Sequence, residues 1–155
     1  MTQRSGTWAA LVGGAIAGAL DINFAISFAA FNGVLPVQLL QSVASGLLGK
    51  EAYSGGPPVA VLGLAIHFAM AFGYACVFVL ASRRFRWLVR HPIHWGMAYG
   101  FAVFWFMRLV VLPLSAFPHP VSFRPLSTAL DLLSHMLLFG IPIAVAAKFS
   151  SKDTP

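Results

Sequence analysis

Four apolar segments, each of about the length needed to cross a lipid bilayer, constrain this chain more than any other feature of its sequence. A transmembrane helix needs about 20 predominantly apolar residues. The segments that approach or exceed this length are residues 7–31, 58–81, 95–112 and 126–147. Prolines, glycines or charged residues separate them, as expected where helices end. We therefore predict an all-α membrane protein, a four-transmembrane-helix bundle that forms a single domain over residues 1–155.

The composition agrees with lipid as the main solvent. Hydrophobic residues make up 59% of the chain and charged residues only 9%, whereas a soluble domain carries about 25% charged residues. A soluble fold with so few charges lacks the polar side chains to cover its surface. The net charge of +6 does not indicate nucleic acid, because no soluble domain is present to display a basic patch. We expect the lipid bilayer as a partner and no binding of nucleic acid.

Positive charges are distributed unevenly between the two predicted sides of the bundle. The seven on one side are Arg4, Arg83, Arg84, Arg86, Arg90, Lys148 and Lys152. The connections on the other side contain only Lys50 and Arg124. Because short cytoplasmic loops are enriched in Lys and Arg, we predict that both termini face the cytoplasm.

The connection between the first two spans is itself apolar. Residues 36–48 read PVQLLQSVASGLL. This segment is too short to cross a bilayer. We predict a short helix here that lies in the membrane interface or re-enters the bundle.

A weak internal repeat relates the two halves of the chain. The first span contains the motif Gly14-x-x-x-Gly18, and the third span contains the same spacing at Gly96-x-x-x-Gly100. The pattern Leu-x-Leu-x-x-His ends at His67 in the second span and at His135 in the fourth. These matches predict a duplicated helical hairpin, with the halves arranged as parallel repeats about an axis along the membrane normal.

Small residues mark the expected contacts between helices. Glycine allows the backbones of two membrane helices to approach closely. The glycines expected at such contacts are Gly14, Gly18, Gly63, Gly96 and Gly100. The same faces also suggest a homo-oligomer or a place in a larger membrane complex.

Five ionisable residues lie inside the predicted spans, where exposure to hydrocarbon would be costly. At a rise of about 1.5 Å per residue, Asp21, His67 and His135 reach nearly the same depth on three different helices. We predict that they form a buried polar site. Arg108 and Asp131 lie nearer the membrane surface and are expected to form a structural ion pair.

Three functions fit this polar site. The first is transport of ions, protons or a small solute, because histidine titrates near neutrality and carboxylates accept its proton. The second is binding of haem or a metal by His67 and His135 across a diagonal of the bundle. Met70 and Met136 are further metal candidates, because thioethers suit Cu(I). The third is a non-catalytic accessory subunit or scaffold, in which the polar residues only hold helices together.

Motifs of enzymes are missing from the sequence. It contains no GxSxG nucleophile elbow, no HExxH zinc motif and no glycine-rich phosphate loop in a suitable context. We therefore assign no catalytic residue and favour a protein that is not an enzyme, with its cofactors left open between haem, a metal and none.

The combined motifs resemble small bacterial inner-membrane proteins whose activity is not established. The matching elements are Gly14-x-x-x-Gly18-x-x-Asp21, Gln41-x-x-Ala44-x-Gly46, Leu62-Gly63-x-x-x-His67-Phe68, Gly96-x-x-x-Gly100, Pro113 and His135-Met136. The last three spans are also distantly similar to the family containing YagU, although this chain lacks the longer first connection and tail of that family. The resemblance implies a four-span protein of the bacterial inner membrane and no particular activity.

Overall fold

Four long helices dominate the computed structural model, which describes residues 6–151. They are span one (Gly6–Phe31), span two (Gly56–Arg84), span three (Pro92–Leu114) and span four (Pro125–Ser150). All four are long and apolar enough to cross a membrane. Of residues 6–151, 88% are helical and none lies in a β-strand. The predicted all-α four-helix bundle is therefore confirmed, and the protein is a multi-pass membrane protein.

The observed helices extend beyond the apolar segments that predicted them. Span two continues through Arg83 and Arg84, because cations in the last turn of a helix interact favourably with its dipole. Span three begins at Pro92, a residue that suits the first helical position because its missing N–H would have no partner there. Hydrophobicity alone therefore underestimates the lengths of both helices.

The two ends of the bundle differ in their connections. At one end, named the basic end, lie Gly6, Ser151 and the connection from Phe85 to His91, which contains the short helix Trp87–Arg90. At the other end, named the loop end, lie the connection between spans one and two and the irregular segment 115–124. Alternation of the four spans places these segments on opposite sides of the membrane.

Span one and span four form the centre of the helix arrangement. Span one packs along both span two and span four, and span three packs mainly against span four. Spans two and three meet through longer side chains: the Tyr99 hydroxyl donates a hydrogen bond to the carbonyl oxygen of Tyr74 at 2.7 Å. Aromatic side chains therefore join span two to span three.

Glycines bring the backbones of spans three and four into direct contact. A Cβ atom on Gly100 would overlap the carbonyl oxygen of His135, and one on Gly96 would lie 2.8 Å from the carbonyl oxygen of Gly140. Gly140 is an equivalent small residue on span four that was not among the predicted helix-packing glycines. The two helices pass each other closely enough to fix the position of His135.

The other predicted packing glycines serve different neighbours. Gly14 and Gly18 face Phe72, Phe68 and Ala71 of span two. Gly63 faces the connection instead, because a Cβ atom there would overlap the carbonyl oxygen of Leu40. Every glycine of the predicted set therefore makes contacts within the chain.

The predicted short helix between spans one and two occupies Pro36–Leu48 and is followed by a 3₁₀ helix at Gly49–Ser54. This connecting helix lies along the loop end of span two. Gln41 Nε2 donates to the carbonyl oxygen of Gly56 at 3.1 Å. The Ala116 amide donates to the carbonyl oxygen of Gly46 at 2.9 Å, joining this helix to the second loop-end connection. The two halves thus differ at the loop end, and their origin by duplication stays a prediction.

Spans three and four each contain a π-helical turn, at Met107–Val111 and at His135–Gly140. A proline follows each turn closely, at Pro113 and Pro142. Proline lacks the N–H of a regular helical hydrogen bond and its ring crowds the preceding turn. The wide turns therefore occur where regular α-helical bonding is already interrupted. Such turns are frequent at functional sites, and these two carry Arg108 and His135.

Candidate functional site

Asp21, His67 and His135 line one cavity inside the bundle, named the inner cavity. They enter it from spans one, two and four. The cavity has a volume of about 60 Å³, enough for a few water molecules. Its other walls are Met70, Ala71, Tyr74, Val103, Met107 and Phe139. The three polar residues predicted to converge are therefore placed around a common space.

Asp21 connects span one to span four through its carboxylate. Its Oδ1 atom accepts a hydrogen bond from Ser134 Oγ at 2.8 Å and lies 3.7 Å from His135 Nδ1. Both Asp21 and Ser134 are buried. Sequence reasoning missed Ser134 as a site residue, although it directly precedes His135. A hydroxyl in an apolar helix beside a predicted site histidine was the available signal.

His135 lies near two carboxylates, both of which approach the same ring nitrogen. Its Nδ1 atom is 2.9 Å from the backbone oxygen of Asp131, 3.3 Å from Asp131 Oδ1 and 3.7 Å from Asp21 Oδ1. Because a carbonyl oxygen only accepts, Nδ1 carries hydrogen, and Nε2 holds the lone pair when the ring is neutral. The imidazole can therefore take up a proton at Nε2 and release one from Nδ1 toward a carboxylate.

His67 joins the site through the backbone of span one. Its Nε2 atom donates to the carbonyl oxygen of Gly18 at 2.9 Å, which leaves Nδ1 as the acceptor of the neutral ring. Its ring packs edge-on against Phe68 at 5.6 Å. Asp21 thus approaches His135 directly, whereas His67 is held beside them by a bond to the helix turn that precedes Asp21.

The ion pair predicted between Arg108 and Asp131 is present in the structure. Arg108 Nη2 lies 2.9 Å from Asp131 Oδ2, and Nη1 donates to the carbonyl oxygen of Ser122 at 2.6 Å. The guanidinium lies between the rings of Phe104 and Phe123, at 5.0 and 5.5 Å from their centroids. Arg108 therefore ties span three both to span four and to the loop-end segment 115–124.

A larger cavity of about 370 Å³ lies toward the loop end and is named the loop-side cavity. Its lining includes Arg108, Asp131, His119 and the segment from Pro120 to Ser122. His135 and Met107 line both this cavity and the inner one. The Asp131 side chain is 38% exposed and the His135 side chain 17%. The exposure of the side chains to solvent thus decreases from Asp131 through His135 to Asp21, which is 12% exposed.

The arrangement offers little support for a bound metal or haem. Within residues 6–151, no group of three or more His, Cys, Asp or Glu side chains is placed to hold a metal ion. Met70 lines the inner cavity, whereas the backbone of Met136 lies against Gly100 of span three. Ligand pockets usually occupy about 300–1,000 Å³, so a haem between His67 and His135 would require the spans to separate.

Comparison of the chain with protein-family models, curated proteins and solved structures found no significant match. The resemblance to the family containing YagU therefore stays a prediction. The proposed function is therefore based on the residues that line the two cavities and on their chemistry.

Proposed function

We propose that this protein conducts protons across the membrane, alone or together with a small solute, through Asp131, His135 and Asp21. The supporting observation is that His135 lines both cavities, with its Nδ1 atom 3.3 Å from Asp131 Oδ1 and 3.7 Å from Asp21 Oδ1. Chains of carboxylates and histidines inside membrane proteins are typical of proton relays.

The proposed path begins at the loop-side cavity. Among the three residues of the path, Asp131 has the most exposed side chain, and it exchanges protons with water in this cavity. Both carboxylates lie nearest the same atom, His135 Nδ1. With Nε2 protonated, the ring releases its Nδ1 proton to Asp21 and then takes a proton from Asp131 at the same nitrogen, so one proton moves from Asp131 to Asp21. Asp21 lines the inner cavity, where water and the lone pair on Nδ1 of His67 extend the proposed path away from the loop end.

The route toward the basic end is closed in this conformation. Between the inner cavity and the basic end, the core consists of packed apolar residues that exclude water. They are Ala10, Ala75, Phe78, Val79, Ala144 and Ala147. Conduction therefore requires a second conformation that opens this end. The two π-helical turns are the proposed hinges, because conversion to regular α-helix would rotate Arg108 and His135 relative to the rest of their spans.

The proposed location is the bacterial inner membrane, with both termini in the cytoplasm. Arg83, Arg84, Arg86 and Arg90 lie at the basic end with Lys148, and the loop end has only Lys50 and Arg124. Arg4 and Lys152, which contributed to the prediction, lie outside the described residues. Excess Lys and Arg marks the cytoplasmic side, so the loop-side cavity would open away from the cytoplasm.

This orientation predicts which single cysteines a reagent outside the membrane labels in intact spheroplasts. In a Cys76→Ala background, an impermeant thiol reagent applied to spheroplasts should label Lys50→Cys and leave Arg90→Cys unlabelled. Both positions are exposed, so access to the reagent depends on the side of the membrane. Labelling of Arg90→Cys with protection of Lys50→Cys would place the termini outside.

Proton conduction is tested with purified protein in liposomes that contain a pH-sensitive dye. A potassium diffusion potential should drive proton entry faster than in liposomes without protein. His135→Phe keeps the aromatic volume between Phe104 and Phe139 but removes both nitrogens. It should lower the rate at least about tenfold, because a positioned proton-transfer group typically contributes 10²–10⁴-fold.

The matched control is His94→Phe, because His94 is an exposed histidine at the basic end, away from both cavities. Its rate should equal that of the unmodified protein. A wild-type rate no higher than that of empty liposomes would refute conduction. Equal rates in the two histidine variants would refute the assigned path.

A further inference from the structure

A groove at the basic end separates spans one and two on their lipid-facing side. Its volume is about 250 Å³. Most of its walls are apolar, among them Ala10 and Leu11 from span one and Phe72 and Leu80 from span two. Arg83, in the last turn of span two, closes the groove at the membrane surface. This groove is separate from the two cavities that contain the proposed proton path.

Arg83 is held at the mouth of the groove without a carboxylate. Its guanidinium occupies the space that a Cβ atom on Gly6 would fill. The carboxylates of the described chain belong to Asp21, Glu51 and Asp131, and none of them pairs with Arg83. A positive charge therefore lies at the open end of an apolar groove.

The length of the groove matches one leaflet of a bilayer. Phe72 and Arg83 are eleven residues apart on one continuous helix, which corresponds to roughly 16 Å at about 1.5 Å per residue. The hydrocarbon core of a bilayer is about 30 Å thick, so one leaflet contributes about 15 Å. An acyl chain whose headgroup lies at Arg83 would reach the level of Phe72.

We propose that this groove binds one anionic phospholipid. The Arg83 guanidinium binds the headgroup phosphate, for which its planar donor fork is suited. One acyl chain lies along Leu11, Phe72 and Leu80. Juxtamembrane arginines attract anionic lipids generally, and the groove adds a place for the chain. The shared phosphate chemistry would also admit free phosphate, but only a lipid fills the apolar part.

Cys76 is a built-in reporter for this site. It is the only cysteine in the chain, it is exposed and it lines the groove. The full-length protein is placed in nanodiscs of phosphatidylcholine, with or without phosphatidylglycerol, and alkylation of Cys76 by a membrane-soluble maleimide is followed over time. Phosphatidylglycerol should slow alkylation of the wild-type protein.

Arg83→Gln should weaken this protection about fivefold, the effect expected for one arginine at an anionic membrane surface. Arg90→Gln removes the same charge from an exposed position outside the groove and should behave like the wild-type protein. Equal protection in both variants would show a general effect of surface charge and overturn the site. Inorganic phosphate added to phosphatidylcholine nanodiscs should give no protection; protection equal to that by lipid would refute the role of the acyl chain.

A second measurement does not depend on thiol reactivity. The phosphatidylglycerol that remains bound through detergent purification is quantified by mass spectrometry for the same two variants. We expect about fivefold less with Arg83→Gln than with Arg90→Gln. The same amount in both variants would also overturn the proposal.

Discussion

Asp21→Asn should reduce proton flux at least about tenfold while the bundle stays folded. The amide oxygen of asparagine can still accept the hydrogen bond that Ser134 Oγ donates to Asp21 Oδ1 at 2.8 Å. Asparagine has nearly the same size as aspartate, so the packing between spans one and four is retained. It cannot bind and release a proton, however, and so removes the acceptor that lies 3.7 Å from His135 Nδ1.

The control for this substitution is Asn23→Leu. Asn23 lies two residues further along span one but is exposed, and its side chain bonds only to the backbone oxygen of Ala19. Its replacement should leave flux unchanged. Both rates are measured in the liposome assay, and the fold is checked by the thermal unfolding of the detergent-solubilised protein. Full flux with Asp21→Asn would exclude this carboxylate from the path.

Gly100→Ala should destabilise the protein by about 3 kcal/mol, at the upper end of the usual cost of overpacking a core. The added methyl group would overlap the carbonyl oxygen of His135 and lie 2.7 Å from the Cα atom of Met136. Both are backbone atoms of span four, so no rotamer change relieves the overlap. The helices must separate, and His135 moves with its backbone.

Gly73→Ala is the matched control on span two. A Cβ atom there has no neighbour within 4 Å, so this substitution should leave stability unchanged or raise it slightly through the better helix propensity of alanine. The free energies of unfolding of both variants are compared by denaturant titration in mixed micelles. A loss for Gly100→Ala no larger than that for Gly73→Ala would mean that spans three and four do not approach this closely.

The convergence of Asp21, His67 and His135 was predictable from the sequence because hydrocarbon makes the position of charged groups a strict constraint. Depth follows from residue counts along each span, and an inward direction follows from the need for partners. The Arg108–Asp131 pair follows from the same two arguments. These predictions required only the helical rise and the cost of burying charge.

The roles of the two histidines were not predictable in the same way. His67 bonds to a backbone oxygen of span one, whereas His135 lies near two carboxylates. Which acceptor each ring meets depends on helix rotations and distances of a few tenths of an ångström. The π-helical turns add to the difficulty, because a regular helix of the same sequence would direct Arg108 and His135 elsewhere.

The sequence by itself determined the solvent of this protein, its four spans and the depth of its polar residues, because apolar length and the cost of buried charge act on each segment independently. Only the tertiary structure decided that Gly63 receives the connecting helix, that Ser134 donates to Asp21, and that His135 lines both cavities. These features depend on contacts between segments far apart in the chain. Such contacts are fixed by the packing of the whole bundle rather than by any one helix.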